Sequence, residues 1–191
     1  MANSNQNTRR KRGFMKATGI IRRIDELGRI VIPKEIRKTL RIKEGENLEI
    51  YVDKDDNIIL KKYSLIKKLN DFAQDFTDSI HSFIKHNVII ADNDTILAVS
   101  GPLKKEYLNK SIGPELESKI NRREEMLERH KKDISLVEDK SIEATYAISP
   151  VIVNGDTVGT VILLSTDDVV EDIDLKIAQI ASKFLNTHLE L

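Results

Sequence analysis

Cysteine and tryptophan are both absent from the 191 residues, and aromatics of any kind make up only 5%. Without cysteine there is no disulfide framework, no thiolate metal site and no thiol nucleophile. No unbroken apolar run approaches the roughly 18–20 residues that a membrane helix needs. The residues before Met15 have no apolar core, so they do not read as a secretory signal. No P-loop and no distinctive carboxylate pair stands out. Ser149 and Ser165 have no local catalytic companion. The four histidines, His81, His86, His130 and His188, lack metal-ligand spacing; His81 and His86 diverge on a helix. These absences predict a cytoplasmic protein that is not an enzyme, with no catalytic residues, no metal and no cofactor.

What is present is an uneven distribution of charge. Lys+Arg and Asp+Glu both number 31, so the formal net charge is zero. Residues 1–63 nevertheless hold 16 basic and 9 acidic side chains, and residues 64–191 hold 15 and 22. Between Arg9 and Arg41 the count is 12 basic to 3 acidic. A basic half of this kind suits a polyanion, nucleic acid or membrane surface. A skewed but merely solvated surface is the bland alternative.

Residues 1–14 are polar, end in Arg9-Arg10-Lys11-Arg12, and read as a disordered basic arm. From Lys16 to Lys62 the elements are short. ATGIIRRI reads as a strand, Asp25-Glu26-Leu27-Gly28 as a turn, and Arg29 to Ile32 as a second strand. Pro33 presets φ for a helix to about Leu40. On that helix Lys34, Arg37, Lys38 and Arg41 fall at i, i+3, i+4 and i+7, a cationic face, with Ile36 and Leu40 roughly opposite. LEIYV and IILKK, around the polar turn DKDDN, form a hairpin. So small a unit, with no metal or disulfide, buries too little apolar surface alone. An obligate dimer with strands paired or interleaved between chains is expected.

The second half starts after Tyr63-Ser64. A helix is expected from Ser64 to about His86, with Leu65, Leu69, Phe72, Phe76, Ile80 and Phe83 as its apolar stripe. Ile173, Ile177, Ile180 and Phe184 mark a second stripe near the C-terminus. The two helices either cover their own sheet or build a four-helix bundle across a dimer. Between them lie two hairpins, turning at Asp92-Asn93-Asp94 and Asn154-Gly155-Asp156. A helix is expected between the hairpins from Pro114 to about Lys132, with Leu116, Ile120 and Leu127 inward and RREEMLERHKKD as its solvated face.

The stretch TGIIRRIDELGRIVIPKEIRKTLRIKEGENLEIYV closely resembles the AbrB-type transition-state regulators. An acidic turn, Gly-Arg, a β-branched run, Ile-Pro, Glu-Ile-Arg and a hairpin follow in the family's order over residues 15–62. Over its full length the chain is similar to regulators of late sporulation genes that add a C-terminal GAF-like domain, here residues 64–191. The resemblance implies a mixed fold: an N-terminal swapped-hairpin β-barrel, dimeric, and a C-terminal α+β GAF-like domain. It implies binding to double-stranded DNA by a homodimer or homotetramer, with no membrane partner. Carried over by position, the DNA-contacting cations are Arg22, Arg23, Arg29, Arg37 and Lys38, with Lys16 added at the strand start. Lys34 and Arg41 are candidates for further phosphate contacts. Lysine at 38 neutralises phosphate but cannot form the bidentate fork that arginine offers to guanine. The GAF-like domain implies a ligand-sensing or oligomerising role, its small-molecule effector unidentified. The alternative in another class is an interaction protein of the antitoxin type, which uses the same barrel.

Overall fold

The structure, a computed structural model, describes residues 18–190. They fall into two compact units that divide between Asn47 and Leu48.

In the first unit, Asp25 to Arg29 is a tight reversal. Gly28 N–H donates to Asp25 O at 2.9 Å, and Asp25 N–H donates to Arg29 O at 3.0 Å. Gly28 takes φ +74°, where a Cβ is strained. The flanking segments, expected as strands, are not paired among the described residues of one chain. A strand exists only against a hydrogen-bonding neighbour, and β-branched content alone does not supply one. Pro33, buried, precedes helix α1 (Lys34–Thr39), the short helix its fixed φ favours. The helix ends in a Schellman closure: Ile42 N–H donates to Arg37 O and Arg41 N–H to Lys38 O, with Arg41 at φ +52°.

The second unit opens with the hairpin of β1 (Leu48–Val52) and β2 (Ile58–Lys62), in register Leu48↔Lys62 to Val52↔Ile58. Asp53 closes its turn, accepting N–H bonds from Asp55 and Asn57 through Oδ1. The expected hairpin is therefore present. After it come a 3-10 turn (Ile66–Leu69), α2 (Asn70–Ile84), β3 (Asn87–Asp92) and β4 (Ile96–Ser100). Then follow α3 (Lys104–Tyr107), α4 (Pro114–Asn121), β5 (Met126–Val137), β6 (Lys140–Val153), β7 (Asp156–Ser165) and α5 (Asp172–Leu189).

The five strands β3 to β7 form one antiparallel sheet in the order β4-β3-β7-β6-β5. Side-chain alternation sends Ile89, Ile148, Ile162 and Leu164 to one face, where Tyr107 of α3 and Leu116 and Ile120 of α4 cover them. Val88, Ile90, Ala147, Val161 and Leu163 go to the other face, under α2 and α5. Both expected sheet hairpins are present. Ile66, fully buried, lies over Gly159; a Cβ there would meet Ile66 Cδ1 at 2.5 Å and Ala91 O at 2.2 Å. The free edge of β4 is closed by a side chain: Gln74 Nε2 donates to Val99 O at 3.1 Å, and Val99 N–H donates to Gln74 Oε1 at 3.4 Å.

Further expectations need correction. The helix expected from Pro114 to about Lys132 stops at Asn121, and Met126–Val137 is the edge strand β5, carrying Leu127 with it. Arg129, His130 and Lys131 lie on a bulge of that edge, between the pairs Glu128↔Tyr146 and Lys132↔Ala144. Charge there blocks further strand addition. On α5 the buried face is Ala178, Ala181, Ser182 and Leu185; of the expected stripe Ile177 packs against the core, while Ile173 and Ile180 point out and Phe184 is exposed. Phe184 stacks on Phe72 and Phe76 of α2, with centroids 5.7 and 5.1 Å apart. The helix expected from Ser64 becomes an α-helix only at Asn70, after the 3-10 turn Ile66–Leu69; its expected stripe still packs against the core except Phe83, which is exposed.

Candidate nucleic-acid interface

The cations expected to touch DNA sit on three kinds of local structure in the first unit. Arg22 and Arg23 lie on the segment before the turn, both exposed, with Arg22 Nη1 donating to Ile21 O at 3.1 Å. Arg29 closes the turn. Lys34, Arg37 and Lys38 lie on α1; Lys34 and Lys38 are exposed and Arg37 is half-buried. Arg41 does not continue the helical face, because α1 ends at Thr39 and Arg41 turns into the left-handed region. Arg37 and Lys38 fill the last turn of α1, where cations suit the helix dipole. Lys16 lies outside the described residues.

Of these cations, Arg29 has the most defined setting. Its Nε donates to Asp25 Oδ2 at 2.8 Å, and its backbone N–H donates to Asp25 Oδ1 at 2.8 Å. Leu27 N–H also donates to Asp25 Oδ1, at 3.0 Å. The Arg29 backbone and side-chain bonds are the main reason the Asp25 carboxyl titrates below its ordinary value of 3.8. By contrast, Arg23, Lys34, Arg37 and Lys38 form no ion pair among the described residues. Sequence reasoning took Asp25 as a turn residue only. The signal for its second role was an acid four positions before an arginine across a Gly-containing turn.

The first unit and the hairpin share another property. Ile21, Ile24, Leu27, Ile30, Val31, Leu40, Ile50, Val52 and Ile58 are all exposed in a single chain. So many aliphatic side chains in water is an unusual state for a monomer.

In the second unit, the helix α3/α4 side of the sheet is filled by large apolar side chains. Tyr107 lies among them; its Oη is buried without a hydrogen-bond partner among the described residues, and burial pushes its phenol up. Among the described residues no group of His, Asp and Glu is arranged to hold a metal ion. No described helix is long and apolar enough to cross a membrane.

Comparison with known proteins defines the class. Residues 68–190 match the family described as stage V sporulation protein T C-terminal, transcription factor. Residues 21–68 match that described as antidote-toxin recognition MazE, bacterial antitoxin. The chain is 47% identical to stage V sporulation protein T of Bacillus subtilis (strain 168) over 178 residues, 92% of this chain and 99% of that protein. It is 68% identical to transition state regulatory protein AbrB of the same strain over 50 residues, 26% of this chain and 51% of that protein. The second unit has the GAF fold. The GAF domain of the nutrient sensor CodY from Clostridium difficile aligns at TM-score 0.51 and 14% identity, over 82% of this chain and 94% of that one.

Fold and likeness together define a transcription factor with an AbrB-type DNA-recognition domain ahead of a GAF-like domain. It is a regulator of the sporulation kind. The chain belongs to the stage V sporulation protein T family.

Proposed function

We propose that this chain acts in the cytoplasm as a homodimer or homotetramer that binds double-stranded DNA at late sporulation promoters, without catalysis. The DNA surface is made by Lys16, Arg22, Arg23, Arg29, Arg37 and Lys38, with Lys34 and Arg41 adding phosphate contacts. Residues 15–62 act as the DNA-binding domain and residues 64–191 as the sensing or oligomerising one. The observation that carries this reading is the coincidence, in one short segment, of accessible cations and uncovered aliphatic side chains. The aliphatics need a second copy, and pairing two copies doubles the cationic surface. Swapping strands between chains supplies the neighbours that the segments around Asp25 and Arg29 lack. Ile173 and Ile180 on the outside of α5, with Phe83 on α2, offer a second contact between copies, as in a helix bundle.

Phosphate contacts position such a dimer, and a few arginines reach base edges. Because α1 has 6 residues, deep insertion of a recognition helix is not expected, and DNA deformability carries part of the selectivity. The test is binding to promoter and scrambled duplexes over a salt series, by fluorescence anisotropy, for wild type and an Arg29→Ala/Arg37→Ala variant. Wild type should lose affinity with a slope of about 0.9 per phosphate neutralised, and the variant should flatten it. Failure of wild type to bind either duplex at low salt overturns the reading. The match of residues 21–68 to antitoxins then brings forward a toxin-binding role, for which a co-purifying toxin is the sign.

A further inference from the structure

We propose that Asp25 is the positioning residue for base readout: it locks Arg29 so that only the terminal guanidinium nitrogens are presented to DNA. The inference rests on the reading of Arg29 as a DNA contact and adds to it the residue that decides what Arg29 can recognise.

One carboxylate does two jobs. Its Oδ1 accepts the N–H groups of Leu27 and Arg29 and so fixes the turn. Its Oδ2 accepts Arg29 Nε–H. The carbonyl of Arg29 is also tied, by Asp25 N–H at 3.0 Å. Arg29 is therefore held at its backbone on both sides and again near the end of its side chain. A free arginine loses its rotamer freedom when it binds; here that ordering is already done in the unbound chain.

The choice of atom matters chemically. A guanidinium has five N–H groups arranged as forks. With Nε committed to Asp25, the outward group is the Nη1/Nη2 end. That end matches the paired acceptors O6 and N7 of guanine in the major groove. An unrestrained arginine would pair with whichever phosphate lay closest, which carries no sequence information. Asp25 also places a negative charge beside the contact, which opposes phosphate binding in general. It therefore trades bulk affinity for discrimination. Stability accounts for the turn bonds to Oδ1 but not for the ion pair through Oδ2. The side chains are 69% and 41% exposed, and an ion pair so open contributes little to folding.

Asp25→Asn separates the two jobs. Asparagine keeps an Oδ1 acceptor for the turn amides but offers NH2 in place of the oxygen that receives Arg29 Nε–H. The experiment uses the full chain and a duplex selected by wild type from a random library, with a scrambled duplex of equal composition as reference. Asp25→Asn should lower the ratio of selected to scrambled affinity by about tenfold. Affinity for the scrambled duplex should stay level or rise by about two- to threefold, as a negative charge is removed. Arg29→Lys, which removes the fork, should lower the same ratio, and adding Asp25→Asn to it should change nothing further. In nuclear magnetic resonance spectra, the Arg29 Nε–H signal should exchange slowly with water in wild type and fast in Asp25→Asn, with the turn amides unshifted. If Arg29→Lys collapses the ratio while Asp25→Asn leaves it within about twofold of wild type, Asp25 is a turn residue only and the proposal is overturned, with the DNA reading of Arg29 intact. If Arg29→Lys itself leaves the ratio unchanged, both fall.

Discussion

Lys62 Nζ lies 2.7 Å from Asp94 Oδ1, joining the end of the β1–β2 hairpin to the turn between β3 and β4. Both side chains are mostly covered, at 19% and 29% exposure, so water replaces this bond poorly. Asp94 is fixed on its far side too: its N–H donates to Asp92 Oδ1, and its carbonyl accepts Ile112 N–H. Lys62→Met should cost about 1–2 kcal/mol. Hydrogen exchange of hairpin amides should speed up while the amides of β7 stay protected. Equal acceleration of both would show that the pair anchors nothing locally.

Gly159 has no room for a side chain. Its Cβ would sit 2.2 Å from the carbonyl of Ala91 on β3, a backbone atom that cannot step aside. Gly159→Ala should therefore destabilise the sheet by about 1–3 kcal/mol or more, read from thermal or urea unfolding. Combining it with Ile66→Ala should recover only a part, since that relieves the Ile66 Cδ1 contact and not the carbonyl.

Gln74 stands in for a neighbouring strand at the free edge of β4. Gln74→Ala should cost about 1–2 kcal/mol, because it leaves the Val99 amide and carbonyl without that partner. The sharper readout is local: the Val99 amide should exchange faster in the variant, while Ile89 in the interior of the sheet does not change.

Asp78 sets a pH dependence with a defined sign. The Ser100 hydroxyl donates to its carboxylate, and this bond, ahead of the charge of Lys104, holds the group below 3.8. A depressed folded value means that the stabilisation is complete above the ordinary value and is lost as pH falls through the folded one. Ser100→Ala should therefore reduce stability most near neutral pH. The difference from wild type should shrink as pH drops below 3.8, measured by urea unfolding at a series of pH values.

Ile173 and Ile180, a heptad apart on α5, point outward along with Phe83 of α2. Ile180→Glu should leave the fold intact and lower the molar mass found by light scattering on a sizing column. An unchanged mass would remove α5 from the contact between copies.

The sequence was most informative where local chemistry decides the outcome. Asn154-Gly155 and the Asp-rich turns announced hairpins that are present, and Pro33 announced α1. It misled where a signal was carried by an atypical residue. α4 ends in a Schellman closure, with Arg123 N–H to Ile120 O and Glu124 N–H to Lys119 O, and Arg123 at φ +55°. No glycine marks that stop, and the Glu, Arg, Leu and Lys that follow are good helix formers. Their placement in β5 is fixed by pairing with β6, a long-range interaction that local propensity does not report. On α5, small residues misdirected the reading: Ala178, Ala181 and Ser182 face the sheet, while larger Ile173 and Ile180 do not. In the candidate interface the cations were legible by kind. The Asp25–Arg29 geometry was not, because it depends on which carboxylate oxygen meets which nitrogen.

The uncovered aliphatic side chains around Ile24 and Ile50 have a consequence for gene expression. On the proposed assembly, a lone chain has no finished DNA-binding part. At low abundance, the amount of competent regulator then rises with the square of the amount of chain made. Halving synthesis would cut occupancy of a weak promoter by more than half. A cell could therefore convert a gradual rise in transcript into a sharper onset of control, using mass action alone.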